Sequence, residues 1–174
     1  PESIQFTGPK EDAERRDFTI NALFYDFKTN QILDFVNGRK DLENHIIKTI
    51  GDPQKRFSED YLRILRALRF SCQLNFEIHP ETEATAIQMA TLLPKVSGER
   101  LCMEIIKALL AHPEKALNTF KKWQLPQILF PHWIFDNPIT GHAILTGRKE
   151  AGWLLSQWLL NFQKPICSVA IDFV

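Results

Sequence analysis

The sequence predicts an α+β protein in which a short β-rich front is followed by consecutive helices. Three observations predict it. Residues 1–36 carry short alternating or β-branched and aromatic segments, TINALFYDF among them, punctuated by polar turns. At Arg39 the hydrophobic period changes from that of a strand to that of a helix. Beyond Gly51, proline, glycine and serine cut the chain into helix-length amphipathic runs.

In chain order, SIQFTG at 3–8 alternates like a short strand. LFYDF and ILDFV flank Lys28-Thr29-Asn30 and read as a hairpin, which Asn37-Gly38 then breaks. KDLENHIIKTI at 40–50 places Leu42, Ile46, Ile47 and Ile50 at helical spacing, and Gly51-Asp52-Pro53 stops it. Ser58 is the expected N-cap of the next helix, with Glu59 and Asp60 in its positively polarised first turn and an end near Leu74. Pro80 opens a helix over 80–93, and Pro94 follows it. Ser97 caps another over 98–111, closed by His112-Pro113. The run at 114–125 stops before Pro126, and a last helix is read at 148–162. The change of period places a boundary near residues 51–57. Short connections imply that neighbouring helices pack together.

The bulk numbers exclude several classes. Apolar content of 44% and charged content of 24% are those of a globular protein. Net charge is zero, so no global electrostatic argument favours nucleic acid. Between Lys55 and Arg69, however, five basic side chains face two acidic ones. Cys72, Cys102 and Cys167 are odd in number and far apart, which argues against a disulfide framework or zinc site and for a reduced, cytoplasmic setting. No apolar run has transmembrane length, and no signal peptide is visible. A start at Pro1 and an apolar end at ICSVAIDFV are expected of a fragment.

The segment richest in chemistry is SEDYLRILRALRF at 58–70. Successive helical positions turn by ~100°, so Asp60, Arg63 and Arg66 follow one another along a drifting face, with Arg69 at its edge. Ile64, Leu65, Leu68 and Cys72 fall roughly opposite and can enter a core. A carboxylate only accepts hydrogen bonds and a guanidinium only donates them. Side by side, Asp60 and Arg63 complement the Watson–Crick edge of cytosine or adenine, which sets an amino donor beside a ring-nitrogen acceptor. Uracil and guanine reverse that pattern. The plain alternative is an intrahelical ion pair worth a few tenths of a kcal/mol. Arg66 and Arg69 suit a triphosphate or RNA backbone, or else carboxylates of another helix. In RRDFTINAL at 15–23, an arginine beside a strand end suits phosphate and Asn21 suits a ribose hydroxyl or a backbone group; a surface salt bridge is the alternative.

The remaining motifs are silent or structural. No histidine pair has metal-ligand spacing, and no GxSxG, HExxH or Walker loop occurs. The four tryptophans read as core residues rather than base-stacking platforms. Glu99 and Glu104 make no convincing acid pair, and Glu99-Arg100 reads as a brace for the arginine-bearing helix.

Together these segments resemble the class II tRNA nucleotidyltransferase (CCA-adding enzyme) and bacterial poly(A) polymerase family. DAERRDFTINALFYD at 12–26 is similar to the family's ribose- and phosphate-contacting motif, and DFVNGRKDL at 34–42 to its flexible segment. RFSEDYLRILRALRF at 56–70 resembles the nucleobase-recognition helix, and SGERLCMEIIKALL at 97–110 the helix that supports it. WQLPQILFP at 123–131 resembles the start of the helical body, and beyond it the likeness fades. The resemblance implies a nucleotidyltransferase head over 1–52, a nucleotide-selecting neck over 53–125 and the start of an RNA-binding body over 126–174. It implies that Asp60 and Arg63 read the incoming base of CTP or ATP, while Arg16, Arg66 and Arg69 hold the sugar and triphosphate. The implied partners are nucleoside triphosphates and the 3′ end of tRNA or another RNA. The implied cofactor is Mg²⁺, two ions held by a carboxylate pair after a Gly-Gly-x-x-x-Arg-Asp segment. This sequence contains no such segment and no Asp-x-Asp strand before Arg15. The expectation is therefore a nucleotide-selecting half without catalytic residues, which binds nucleotide weakly and does not catalyse alone. Poly(A) or A-only addition is the close alternative, and a non-catalytic RNA-binding module the distant one.

Overall fold

The computed structural model describes residues 8–129. The strand read at SIQF and the helix read at 148–162 lie outside them. The front is less strand-rich than expected. It begins with a helix, α1 (Pro9–Arg15), opened by a proline at its first turn. A 3-10 turn over Thr19–Asn21 takes the first residues of the predicted strand. The hairpin forms as read: β1 (Leu23–Asp26) pairs antiparallel with β2 (Gln31–Asp34), with Phe24 opposite Leu33.

The chain then enters α2 (Gly38–Glu43) through a tight turn. Asp34 accepts backbone N–H groups from Val36, Gly38 and Arg39 at 2.9–3.1 Å. Gly38 is required here, because a Cβ would lie 2.2 Å from the Thr19 carbonyl oxygen.

The helix expected over 40–50 ends early. His45 takes a left-handed φ of 56°, and Ile46–Ile47 become β3. That strand pairs in parallel with β4 (Glu77–Ile78), and Thr49 bridges to Phe18 on its other flank. The isoleucines fit either period. β-Branched side chains and a partner strand at Glu77–Ile78, distant in sequence, decide for the strand. The segment 45–50 thus ties residues 17–19 to the helical part. The Thr19 N–H donates to the Lys48 carbonyl at 2.9 Å, and the Ile50 N–H to that of Asp17 at 3.2 Å.

The single helix expected from Ser58 to Leu74 is two. Asp52, not Ser58, caps α3 (Pro53–Glu59) by accepting from the Gln54 and Lys55 N–H groups. Ser58 Oγ donates back to the Gln54 carbonyl. After a break at Asp60, α4 (Leu62–Leu74) runs to a left-handed Asn75. Then come α5 (Pro80–Met89), a 3-10 turn over Ala90–Lys95 that contains Pro94, α6 (Gly98–Ala111), α7 (Pro113–Lys122) and α8 (Leu125–Leu129). Ser97 precedes α6 as expected, though its side chain makes no capping bond.

The core is built around α4. Ile64, Leu65, Ala67 and Leu68 are at most 1% exposed and pack with Leu101, Ile105 and Ala108 of α6 and with Ala116 and Phe120 of α7. Phe18 and Ile47 from the front join this core. Trp123 is buried in it, with Nε1 donating to Glu83, in keeping with a structural reading of that tryptophan.

Candidate nucleotide site

The break between α3 and α4 changes how Asp60 is presented. It stands in extended backbone, φ −155° and ψ 107°, rather than in the helical stripe with Arg63. A carboxylate is better accommodated at a helix start, where it satisfies an orphan N–H, than in the helix interior. Asp60 Oδ1 accepts from the Leu62 N–H at 3.1 Å, and the Asp60 carbonyl accepts from the Arg63 N–H at 3.0 Å. Oδ2 accepts from Arg100 Nη2 at 2.8 Å. Arg100 of α6 therefore does brace the arginine-bearing segment, and its partner is Asp60.

Arg63 is fixed from α3. Its Nη1 donates to the Arg56 carbonyl at 2.8 Å and to the Glu59 carboxylate. The hydrogen bond from Arg63, helped by Arg56, holds the Glu59 carboxyl below the usual carboxylate range. Asp60 and Arg63 thus remain neighbours across one turn, each clamped by a different helix. Both described side-chain bonds of Arg63 leave from Nη1 of a group with five N–H donors.

Arg16 and Arg66 meet through Asp17, a residue given no separate role by sequence reasoning. Asp17 is buried and accepts from its neighbour Phe18 N–H at 2.9 Å, from Asn21 Nδ2 at 3.1 Å and from Arg66 Nε at 2.7 Å. Asn21 in turn offers its carbonyl to Arg16 Nη1 at 2.9 Å. Arg16 also pairs with Asp12, whose carboxyl it pulls down, and lies 5.0 Å over the Phe24 ring. Asn21 therefore serves Asp17 and Arg16 here.

Arg69 is the most enclosed of the five. Its side chain is 11% exposed, pairs with Glu104 of α6 and donates to Gln73 at 2.7 Å. Its guanidinium lies 3.9 Å over the Phe70 ring, which Arg66 also faces at 5.4 Å. The alternative of pairing with carboxylates from elsewhere in the fold is realised in this structure for both Arg66 and Arg69.

The arrangement is an arginine-rich seam between the end of α1, the α3–α4 break and α6. Its cations are held in place by Asp12, Asp17, Glu59, Asp60 and Glu104. Such a seam suits a polyanionic ligand that carries hydrogen-bonding edges. Among the described residues, no group of three or more His, Cys, Asp or Glu could hold a metal ion, and no helix is long and apolar enough to cross a membrane.

The described residues form an α+β module whose charged seam lies between its hairpin-bearing front and its helices. Residues 1–48 match the model for the poly A polymerase head domain, and residues 75–135 that for the probable RNA and SrmB-binding site of polymerase A. A CCA-adding enzyme of Lactobacillus helveticus is 47% identical over 118 residues, covering 67% of this chain and 29% of that protein. Poly(A) polymerase I of Salmonella typhimurium is 41% identical over 162 residues, covering 92% and 34%. The crystal structure of the Bacillus stearothermophilus CCA-adding enzyme in complex with CTP superposes with a TM-score of 0.66 at 40% identity, covering 69% of this chain and 30% of that one. The chain belongs to the family of CCA-adding enzymes and bacterial poly(A) polymerases. It spans about a third of the length of the curated relatives it matches.

Proposed function

We propose that this chain is the nucleotide-selecting part of an RNA nucleotidyltransferase that adds CMP and AMP, from CTP and ATP, to tRNA 3′ ends. The carrying observation is the α3–α4 break. It sets a pure acceptor, Asp60, one turn from a pure donor, Arg63, and holds each with its own partner, Arg100 and Glu59. This pair selects the amino-and-ring-nitrogen edge of cytosine and adenine and leaves uracil or guanine with clashing donors and acceptors. Arg16 and Arg66, joined through Asp17 and Asn21, take the ribose and triphosphate. Arg69 supports them from beside Phe70, and any direct contact with phosphate is made over its pairing with Glu104.

Residues 1–52 act as head, 53–125 as neck and 126–174 as the start of an RNA-binding body, in a cytoplasmic enzyme. In this reading the Mg²⁺ ions that the family resemblance implies would be held by carboxylates outside residues 8–129 and would activate the RNA 3′ hydroxyl and neutralise the leaving pyrophosphate. Addition of A alone, as by a poly(A) polymerase, is the second reading. The match to Salmonella poly(A) polymerase I, which runs over 92% of the chain, favours it. The Glu59-Asp60-x-x-Arg63 pattern favours CCA addition.

The test is a 3′-extension assay of the complete gene product on tRNA lacking its terminal CCA, with each nucleotide supplied separately and then together. Stepwise C, C and A addition that stops at three residues is expected. Long A tracts establish the second reading. Binding of RNA without any extension refutes both.

A further inference from the structure

Arg56 has no assigned role, yet its side chain is 14% exposed and its guanidinium contacts three separate segments. Nη2 donates to the Glu14 carbonyl at 2.6 Å and Nη1 to the Arg15 carbonyl at 3.4 Å. Nε donates to the Ile50 carbonyl at 3.2 Å, and Nη1 also reaches Glu59 Oε2 at 3.0 Å. Its own carbonyl receives Arg63 Nη1 at 2.8 Å. The Glu14 and Arg15 carbonyls belong to the last turn of α1, where no intrahelical donor remains. The two residues that follow are Arg16 and Asp17, and Asp17 holds Arg66. One planar fork thus fixes the segment assigned to the ribose and triphosphate. The same residue's carbonyl, and the carboxylate it holds, fix Arg63.

We infer that Arg56 is a positioning residue for nucleotide selection, setting the distance between the Arg16–Asp17 segment and the base-reading Arg63 without touching the nucleotide itself. The inference rests on the base-reading assignment of Arg63. Its physical basis is geometric. A base edge is discriminated only when donor and acceptor are held to a fraction of an ångström, and a displacement of about 1 Å is enough for a loss on the order of a hundredfold. Lysine in place of Arg56 keeps the charge. Its single ammonium does not reproduce a fork aimed at three carbonyls and a carboxylate.

The experiment compares Arg56→Lys, Arg56→Gln and Arg63→Ala in the complete gene product. kcat/KM is measured for CTP against UTP and for ATP against GTP on an RNA primer, with the thermal midpoint recorded for each variant. The ratio of two kcat/KM values does not depend on how much of the sample is folded, so partial unfolding leaves it interpretable. Arg56→Lys is expected to stay folded and to lower both ratios on the order of tenfold, and Arg56→Gln by at least as much. A lowered midpoint or lowered total activity with unchanged ratios in both Arg56 variants overturns the inference and leaves Arg56 a purely structural residue. If Arg63→Ala collapses the ratios while the Arg56 variants do not, only the positioning role fails. If Arg63→Ala also leaves them unchanged, the base-reading assignment fails with it.

Discussion

Arg69 and Glu104 form an ion pair enclosed on both sides, 11% and 8% exposed, across the α4–α6 contact. Removing one member leaves the other charge uncompensated, at a cost of about 3–5 kcal/mol. Glu104→Ala is therefore expected to lower the urea unfolding midpoint strongly, and the double change Arg69→Met with Glu104→Met to recover most of the loss; equal losses in the two would contradict the account. The position of Glu104 was legible in principle. Leu101, Glu104, Ile105 and Ala108 share one buried stripe of α6, and a lone carboxylate on an apolar stripe calls for a buried partner. Spacing within α6 compares Glu104 only with Glu99 and is blind to Arg69 on α4. Asp17 gave no such signal, because its partners lie up to 49 residues away in sequence.

At the scale of elements, the turn into α2 depends on Asp34. Burial alone would raise its pKa, but the backbone N–H groups of Arg39, Gly38, Val36 and Asn37 outweigh it and hold the carboxyl below its usual 3.8. A depressed carboxylate contributes stability above its unfolded pKa and loses it as pH falls through the folded one. Denaturation between pH 7 and pH 2 should thus show a fall in stability below about pH 4. Asp34→Asn is expected to flatten part of that fall and to cost about 1 kcal/mol at pH 7. An unaltered acid profile would contradict this. Gly38→Ala is expected to destabilise more than an exposed-helix substitution, because its methyl meets the Thr19 carbonyl; a melting temperature at or above wild type would contradict that. The hairpin was readable because its signal is local, two β-rich runs around a polar turn. The segment 46–50 was not, because its partners at 18 and 77–78 are invisible to periodicity. The break at Asp60 was hidden for a related reason. A capping aspartate in the linker is indistinguishable by spacing from a first-turn aspartate of a longer helix.

On the scale of the whole molecule, the charged seam is where the front and the helices meet. Arg56 and Arg66 from the helices reach Glu14, Arg15 and Asp17, and Phe18 enters the helical core. The same contacts that hold the fold together therefore set the geometry of the candidate site. Arg16, Asp60, Arg63, Arg66 and Arg69 are candidates that ordered motifs in the sequence nominate. The partners that clamp them came only from the three-dimensional arrangement. The 174-residue chain by itself is expected to give no extension product with Mg²⁺ and all four nucleotides; robust incorporation would contradict the assignment of the metal-binding carboxylates to another part of the enzyme. In the proposed function Asp60 and Arg63 read the base. The most direct test of that reading is the ratio of kcat/KM for CTP and ATP over that for UTP and GTP in Arg63→Ala complete protein on a tRNA primer. A drop on the order of a hundredfold, carried by gain or retention of UTP and GTP use, is the predicted result. Unchanged discrimination, with all four nucleotides slowed equally, would contradict it.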